Sequence, residues 1–316
     1  MQNGTELIEK AKRLLRDKTV DRVFGFCAGE FCSDPSPCVF YSAEEIGEKM
    51  IYDCFCAANF SKLLVKEAKK PGKIAVFMKP CDTYSLNQLI TEHKIEREKI
   101  YVVGIACDGT VDVYKLKDRV KGALLGAKRE GGGITVKTPD GDEKISFCDV
   151  ISERCGVCKS KKHVYFDELI CEPGEETAFD RFAPVGRVEK MSAEERYEFF
   201  RSELSKCIRC NACRDACPAC TCETCVFNEK TSGAESRENA NEFEEKLFHI
   251  IRAYHVAGRC TDCGECSRVC PQRIPLYLLN RKFIKDINSY YGEYKAGEVI
   301  GQVPPLTDKR ADDPEV

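Results

Sequence analysis

Two segments of the sequence repeat the same cysteine spacing. Residues 207–218 and 260–271 both read C-x-x-C-x-x-C-x-x-x-C-P, the run that holds [4Fe–4S] clusters in two-cluster ferredoxins. Three closely spaced thiolates can bind three iron corners of one cube, while the fourth cysteine, just before a proline suited to a helix's first turn, reaches the other cube. This crossed arrangement predicts a first and a second ligand set: Cys207, Cys210, Cys213 and Cys270, and Cys217, Cys260, Cys263 and Cys266.

Cysteine is the unusual component of the composition, with 22 residues against four histidines and no tryptophan. The start, Met1-Gln-Asn-Gly-Thr-Glu, lacks the features of a signal peptide, so we expect a cytoplasmic protein whose thiols stay reduced. Metal ligation then explains the cysteines, and duplicated cluster sites predict single-electron transfer. A zinc-stabilised binding module is an alternative, because paired CxxC motifs also hold tetrahedral zinc.

Four further cysteines fall where strand ends are expected to meet. Cys81 and Cys107 follow two predicted strands, and Cys155 and Cys158 form a CxxC beyond a predicted hairpin. Parallel strands joined by right-handed crossovers end at one edge of a sheet, so we expect these four thiols to hold a third [4Fe–4S] cluster. The alternative is two buried thiols and half of a zinc site. Cys27 also follows a strand, and periodicity alone does not choose between it and Cys81.

Ten cysteines remain unassigned. The N-terminal five could bind further metal, and the last three could bind metal or pack against the ferredoxin cores. The ten are Cys27, Cys32, Cys38, Cys54, Cys56, Cys148, Cys171, Cys220, Cys222 and Cys225.

The elements that must position these cysteines differ between the two halves of the chain. In the first half, helices alternate with apolar strands, which predicts an α/β domain with a mostly parallel sheet. A Ser42–Glu45 capping box predicts a further helix, and a hairpin around Pro139-Asp-Gly is expected at the sheet's edge. The helices are predicted over 5–16, 60–70 and 85–94, and the strands over 20–26, 73–78 and 100–106.

From Cys155 onward, polar segments and cysteines replace the strands. We predict an α/β domain over 1–185, a mainly helical and loop dicluster ferredoxin-like domain over 186–302, and a disordered tail over 303–316. Within the second domain we expect a helix over 192–205 and an exposed loop over 228–241. A later helix, ending at Gly258, should carry one apolar face: Phe243, Leu247, Ile250, Ile251 and Tyr254.

At these residues the chain resembles the beta-subunit family of coenzyme F420 hydrogenases and formate dehydrogenases. The similarity rests on seven segments: Lys79-Pro-Cys-Asp82, 92–98, 104–109, Arg154-Cys-Gly-Val-Cys158, the cysteine-rich run 207–225, Arg252-Ala-Tyr-His255, and Ile274-Pro275. The resemblance implies an electron-input or relay subunit. Its expected partner in anaerobes is a formate dehydrogenase, a hydrogenase or a heterodisulfide-reductase-type flavoprotein. Family members often carry a flavin and oxidise the deazaflavin coenzyme.

The residues themselves do not favour FAD. The connection from Cys158 to Cys207 is short and charged where flavin-bearing members have a longer segment, no GxGxxG occurs, and Gly131-Gly-Gly133 is a weak phosphate cradle. A flavin-dependent reductase oxidising a deazaflavin or nicotinamide coenzyme is therefore the second hypothesis.

Three histidines and the overall charge complete the sequence-based expectations. His163, His249 and His255 each stand alone and are interpreted as surface or core residues. The net charge of −3 argues against a nucleic-acid partner, and no apolar run predicts a membrane span.

Overall fold

The computed structural model describes residues 4–228 and 242–306. Residues 229–241 of the predicted loop and residues 307–316 of the predicted tail lie outside this description. The chain divides into two units. The N-terminal unit comprises Met1–Thr83 and Ile95–Phe179, and the C-terminal unit comprises Tyr84–Lys94 and Asp180–Val316.

The strands and helices are numbered in chain order. The strands are β1 Arg22–Cys27, β2 Ser36–Phe40, β3 Met50–Ile51, β4 Ile74–Met78, β5 Ile100–Gly104, β6 Gly126–Glu130, β7 Gly133–Thr138, β8 Gly141–Ser146 and β9 Glu168–Leu169. The helices are α1 Gly4–Arg16, α2 Ala43–Lys49, α3 Ser61–Glu67, α4 Pro80–Thr91, α5 Val113–Lys117, α6 Phe147–Val150, α7 Glu153–Gly156, α8 Ala183–Glu189, α9 Ala193–Leu204, α10 Ala212–Asp215, α11 Glu242–His255, α12 Glu265–Arg268 and α13 Tyr277–Tyr291.

The main sheet of the N-terminal unit has the order β2-β1-β4-β5-β9, with β3 also paired to β1. β1, β4, β5 and β9 run parallel, whereas β2 and β3 are antiparallel to β1. All five residues of β4 are buried, as expected for a strand whose sheet is covered on both faces. The predicted α/β architecture with a mostly parallel sheet is confirmed.

The predicted hairpin is present, but its expected place at the edge of the parallel sheet is wrong. β7 and β8 pair across the turn at Pro139-Asp140 and form a separate three-stranded sheet with β6. Ile134 and Val136 of β7 pack in a small core of their own, with Phe147 and Val150 of α6. This local core lets the three strands form a sheet separate from the main one.

Helix α4 begins five residues before the predicted start at Ser85. Pro80 stands at its N-terminus, where a missing backbone N–H costs nothing. Cys81 therefore lies in the first turn of a helix, directly after β4. Residues from Tyr84 onward in this helix belong to the C-terminal unit.

The C-terminal unit consists of helices and loops in its described residues. Helix α9 starts with a capping box, as the spacing of Ser192 and Glu195 favours: the Ser192 hydroxyl accepts the Glu195 N–H at 3.1 Å, and the Glu195 carboxylate accepts the Ser192 N–H at 2.8 Å. Its core combines apolar side chains with ligand-set cysteines: Leu204, Cys213, Phe227, Phe248, Cys266, Cys270, Ile274 and Leu276.

Helix α11 forms, but the side chains predicted to make its buried apolar face are mostly exposed. Phe243, Leu247, Ile250 and Tyr254 are exposed, whereas Phe248, His249, Arg252 and Ala253 are buried. The helix turns this second set of side chains inward, toward the cysteine-bearing loops. None of the helices in the described part of the chain is long and apolar enough to cross a bilayer.

Candidate metal centres

The four cysteines of the first ligand set line one small cavity. Cys207, Cys210 and Cys213 come from the first repeat and Cys270 from the second, so the structure brings the crossed set together. Their thiols are close enough for charge to act between Cys207, Cys210 and Cys270. Burial raises the pKa of the Cys213 thiol to about 12. Cys210 is exposed, so this cavity opens at the protein surface.

The second ligand set is also assembled across the two repeats. Burial raises the pKa of Cys260 well above its usual range, and the nearby Cys217 and Cys263 thiols raise it further. Cys217 acts on the pKa of Cys266 in the same way. Cys217 of the first repeat therefore lies among Cys260, Cys263 and Cys266 of the second, and three of these four side chains are buried.

The two ligand loops share an unusual backbone conformation. The third residue of each repeat, Arg209 and Asp262, is left-handed, with φ of 53° and 58°. The fifth residue, Asn211 and Gly264, is left-handed as well, with φ of 63° and 69°. Successive residues that alternate between right- and left-handed conformations turn their N–H groups into a concave nest, which binds anions and iron–sulfur clusters. The loops therefore fit a cluster on backbone geometry as well as on thiols.

Hydrogen-bond donors already point at the ligand sulfurs. The Arg209 N–H donates to Cys207 Sγ at 3.4 Å, and the equivalent Asp262 N–H donates to Cys260. The Asn280 side chain donates to Cys266 Sγ at 3.4 Å. Such N–H···S contacts stabilise thiolate charge, which is what a metal ligand must carry. The donor set and its surroundings fit [4Fe–4S] clusters.

Within residues 4–228 and 242–306, no three His, Cys, Asp or Glu side chains are arranged to hold a single metal ion.

In the N-terminal unit, three of the four predicted ligands of a third cluster are near enough for their charges to interact. β4 and β5 are parallel and in register from Ile74–Ile100 to Met78–Gly104, so their carboxyl ends meet at one edge. Cys81 follows the first strand and Cys107 the second, and the two thiols influence each other's charge. Cys155 acts likewise on Cys107.

The Cys158 thiol has its hydrogen bond outside this group of cysteines. Its thiol donates to the Ser160 carbonyl oxygen at 3.2 Å. A residue that the spacing did not single out, Cys56, lies in the same neighbourhood, because Cys56 and Cys107 both act on the pKa of the partly buried Tyr52 phenol. The C-F-C order of Cys54-Phe-Cys56 contains no pairing signal, so its place became apparent only from the fold.

Buried charges surround the N-terminal cysteine group. Lys79 Nζ lies 2.7 Å from the Asp82 carboxylate and donates to the Ala58 carbonyl at 3.1 Å, with both charged side chains almost fully buried. Burial tends to raise the pKa of Cys155, but the Arg154 guanidinium, the Thr110 hydrogen bonds and Lys161 outweigh it and lower that pKa. These cations favour the thiolate form that binds metal.

Several unassigned cysteines have other partners. Cys27 and Cys38 form a disulfide, so these two members of the N-terminal group of five are not free thiols. Adjacent antiparallel strands bring their Cα atoms to 6.0 Å, within disulfide range. Cys220 packs with Cys217 and Val256, while Cys225 packs against the separate core that holds Cys213. Of the options left open for the Cys220–Cys225 run, packing against the ferredoxin cores is the one these contacts favour.

The predicted surface or core histidines differ in their surroundings. His255 is exposed. His163 is buried, with Nε2 at 3.2 Å from the Met78 carbonyl and 3.1 Å from the Ile105 carbonyl, where it ties together the ends of β4 and β5. His249 is buried and lines the cavity of the first ligand set, a position that the apolar pattern of α11 did not predict.

The glycine run that could have cradled a phosphate forms a hairpin turn. Gly131 and Gly132 connect β6 to β7, and a Cβ atom added at either position would meet nothing within 4 Å.

A family model described as a 4Fe-4S dicluster domain matches residues 203–274. An F420-dependent formate dehydrogenase subunit beta from Methanocaldococcus jannaschii is 27% identical, over 93% of this chain and 92% of its own length. An F420-dependent formate dehydrogenase 1 subunit beta from Methanococcus maripaludis is 28% identical, over 93% of this chain and 90% of its own.

A solved structure of the F420-reducing [NiFe] hydrogenase complex from Methanosarcina barkeri aligns with 49% of this chain and 62% of the matched chain, at 16% identity and a TM-score of 0.36.

The matched dicluster segment contains all eight cysteines of the two ligand sets, and the two formate dehydrogenase subunits align over nearly the whole chain. Over nearly its whole length the chain is therefore similar to the beta subunits of F420-dependent formate dehydrogenases, and its C-terminal part matches a 4Fe-4S dicluster domain.

Proposed function

We propose that this chain is the iron–sulfur electron-transfer subunit of an anaerobic oxidoreductase complex and relays single electrons between partner subunits. The observation that carries the proposal is the first ligand set, in which Cys270 of one repeat joins Cys207, Cys210 and Cys213 of the other around one cavity. Crossed ligation places two clusters side by side, and adjacent clusters make a short relay.

The chain's own residues would hold the clusters and control their surroundings. The first ligand set would hold one [4Fe–4S] cluster and the second ligand set the other, and each bound cluster supplies a one-electron redox couple. Burial of Cys213, Cys217, Cys263, Cys266 and Cys270 excludes water from most of the ligand sulfurs. The loop N–H groups orient the thiolates.

Exposure at one end gives electrons a way in or out. Cys210 is exposed, and the neighbouring Ile208 side chain is 60% exposed although it is apolar. A partner that docks over Ile208 would bring its own redox centre near the first ligand set. Because two relatives are named beta subunits of F420-dependent formate dehydrogenases, we propose a formate dehydrogenase as partner, with a hydrogenase or a heterodisulfide-reductase-type flavoprotein as the other candidates.

We further propose that Cys81, Cys107, Cys155 and Cys158 hold a third [4Fe–4S] cluster in the N-terminal unit. The mutual influence of the first three thiols and the cations Arg154 and Lys161 support this assignment. Cys158 is the one member of this set for which no influence on the other three thiols is seen. Cys56 is the alternative fourth ligand.

Anaerobic purification followed by metal analysis tests the proposal. We expect iron and acid-labile sulfide equivalent to three clusters, with absorbance that bleaches on reduction. Zinc in place of iron would replace the proposal by a zinc-stabilised binding module. Bound flavin, together with oxidation of the deazaflavin coenzyme by the isolated chain, would establish a flavin-dependent reductase instead. Co-purification from the native host identifies the partner.

A further inference from the structure

Helix α11 places polar side chains where apolar ones would be expected. His249 is 2% exposed and Arg252 is 4% exposed, while the apolar Phe243, Ile250 and Tyr254 on the same helix are 50% exposed or more. Burying a cation and an imidazole is costly unless each meets a compensating group. The buried face of the helix points toward the cysteine-bearing loops. The groups that compensate His249 and Arg252 should therefore lie in those loops.

Arg252 lies against ligands of both sets. Its guanidinium donates to the Cys213 carbonyl at 2.9 Å and to the Cys266 thiol. Burial opposes its charge, yet the Cys266, Cys217 and Cys213 thiols together raise the pKa of Arg252. The groups that stabilise this buried cation are therefore cluster ligands.

His249 lies beside the first ligand set. Its ring lines the cavity formed by Cys207, Cys210, Cys213 and Cys270, and neither ring nitrogen has a hydrogen-bond partner among the described residues. An imidazole carries at least one N–H whether it is neutral or protonated, so the His249 ring has a donor to place. A buried donor without an acceptor costs about 1–3 kcal/mol, which a sulfur acceptor in the cavity would remove.

We propose that His249 and Arg252 set the reduction potentials of two different clusters, His249 by donating its N–H to sulfur of the cluster on the first ligand set and Arg252 by holding its charge against the cluster on the second. This inference rests on the proposed function. Each cluster gains one electron and later gives it up. A donor or a positive charge stabilises the extra negative charge of the reduced form, so both residues raise the potential.

The test is a redox titration of the full chain, purified anaerobically and monitored by EPR. Cys210→Ser and Cys263→Ser assign the two signals. His249→Leu should lower the reduced-to-oxidised ratio of the first cluster at least tenfold at a fixed solution potential, equal to about 59 mV for a one-electron couple. Arg252→Met should do the same to the second cluster and shift the first one less.

Matched variants separate this role from a general effect of mutation. His249→Gln keeps an N–H donor and Arg252→Lys keeps the charge, so each should restore part of the lost potential. His255→Leu, at an exposed position on the same helix, and Lys246→Met, whose amine bonds the Tyr197 hydroxyl at 2.7 Å, should leave both potentials unchanged.

If His249→Leu and Arg252→Met bind both clusters and titrate like the parent protein, the inference is wrong and the proposed function stands. A parent protein without clusters would instead refute the proposed function. Should either variant fail to load, pulsed EPR of the parent with ¹⁵N-labelled histidine or arginine decides that arm. Coupling of the labelled nitrogen to the assigned reduced cluster is expected, and its absence would overturn the assignment.

Discussion

The two units bring cysteines together by different means. In the C-terminal unit, each ligand set takes three cysteines from one short loop and a fourth from the matching loop, and the loops share left-handed residues at equivalent positions. In the N-terminal unit, Cys81 and Cys107 come from distant segments and lie at one edge because β4 and β5 are parallel, and Cys155 of α7 acts on Cys107. One site depends on local spacing and the other on the order of strands in a sheet.

This difference explains why the ligands of one site are easier to predict from the sequence than those of the other. A repeated cysteine spacing identifies the candidate ligands directly. The structure brings together both ligand sets that the spacing predicts. For a site at strand ends, the sequence indicates only which cysteines follow strands. It therefore gives no basis for choosing between Cys56 and Cys158 as a ligand. Substitutions that act on one unit and spare the other can test this comparison.

The largest expected effect is in the C-terminal unit. Cys213→Ser removes one thiolate from the first ligand set and should cost the protein one [4Fe–4S] cluster, because serine is a poor replacement at a buried cluster ligand. Iron and sulfide per chain, with EPR of the reduced protein, measure the loss. Cys148→Ser, at an exposed unassigned cysteine, is the control. Loss of both clusters, or of neither, would contradict separate crossed sets.

In the N-terminal unit, Cys81→Ser should remove a separate cluster signal and leave the two ferredoxin-type signals in place. Cys158→Ser should do the same if the proposed set is right. Mössbauer or EPR spectra of the reduced protein show which signal is lost. If Cys56→Ser abolishes that signal and Cys158→Ser does not, Cys56 replaces Cys158 in the set. An unaltered spectrum in all three variants would remove the third site.

A stability measurement extends the comparison to the buried ion pair of the N-terminal unit. Lys79→Met leaves the Asp82 carboxylate buried without its cation, which should reduce the free energy of unfolding by about 3–5 kcal/mol. Anaerobic urea unfolding, followed by circular dichroism, gives the change. Lys70→Met breaks the half-exposed Lys70–Glu67 pair and should cost less than about 1 kcal/mol. Equal losses of unfolding free energy in the two variants would show that the buried Lys79–Asp82 pair stabilises the protein no more than the half-exposed pair does.

The smallest expected effect lies at a helix start in the C-terminal unit. Ser192→Ala removes the side-chain acceptor for the Glu195 N–H and should destabilise α9 by about 1 kcal/mol. The same urea experiment measures it, with Ser202→Ala inside the helix as the control. Loss of a cluster signal in Ser192→Ala would show that the ligand sets depend on elements outside their loops.

Most of the N-terminal architecture follows from the sequence because buried parallel strands are written as continuous apolar runs. The sequence predicts no strand at β2, because Pro37 and the polar Ser36 obscure the pattern, and an edge strand tolerates both. The sequence prediction starts α4 five residues late, at Ser85, whereas the helix begins at Pro80. The β7–β8 hairpin was recognised, but its sheet could not be, since pairing with β6 is a tertiary choice.

The candidate sites divide in the same way. The grouping of the eight ferredoxin-type cysteines into two ligand sets is a prediction from spacing alone. The surroundings of those cysteines do not follow from spacing, because a helix with two competing faces can bury either one. In α11 the apolar pattern favours the face with Phe243 and Ile250, whereas the observed helix buries His249 and Arg252. The buried face packs against residues from other segments, among them Cys213, Phe227 and Cys266, which the local pattern of α11 does not contain.

The left-handed residues in the two ligand loops have a consequence for protein engineering. A peptide that copied only the cysteine spacing would also need residues that adopt φ values near +60° at the equivalent positions, a conformation that is unfavourable for a bulky L-residue. In this chain those positions are Arg209, Asn211, Asp262 and Gly264. Asparagine, aspartate and glycine accept this conformation, so three of these positions are suited to transplantation as they stand. Arg209 is the exception, and a miniature cluster-binding scaffold should carry glycine there.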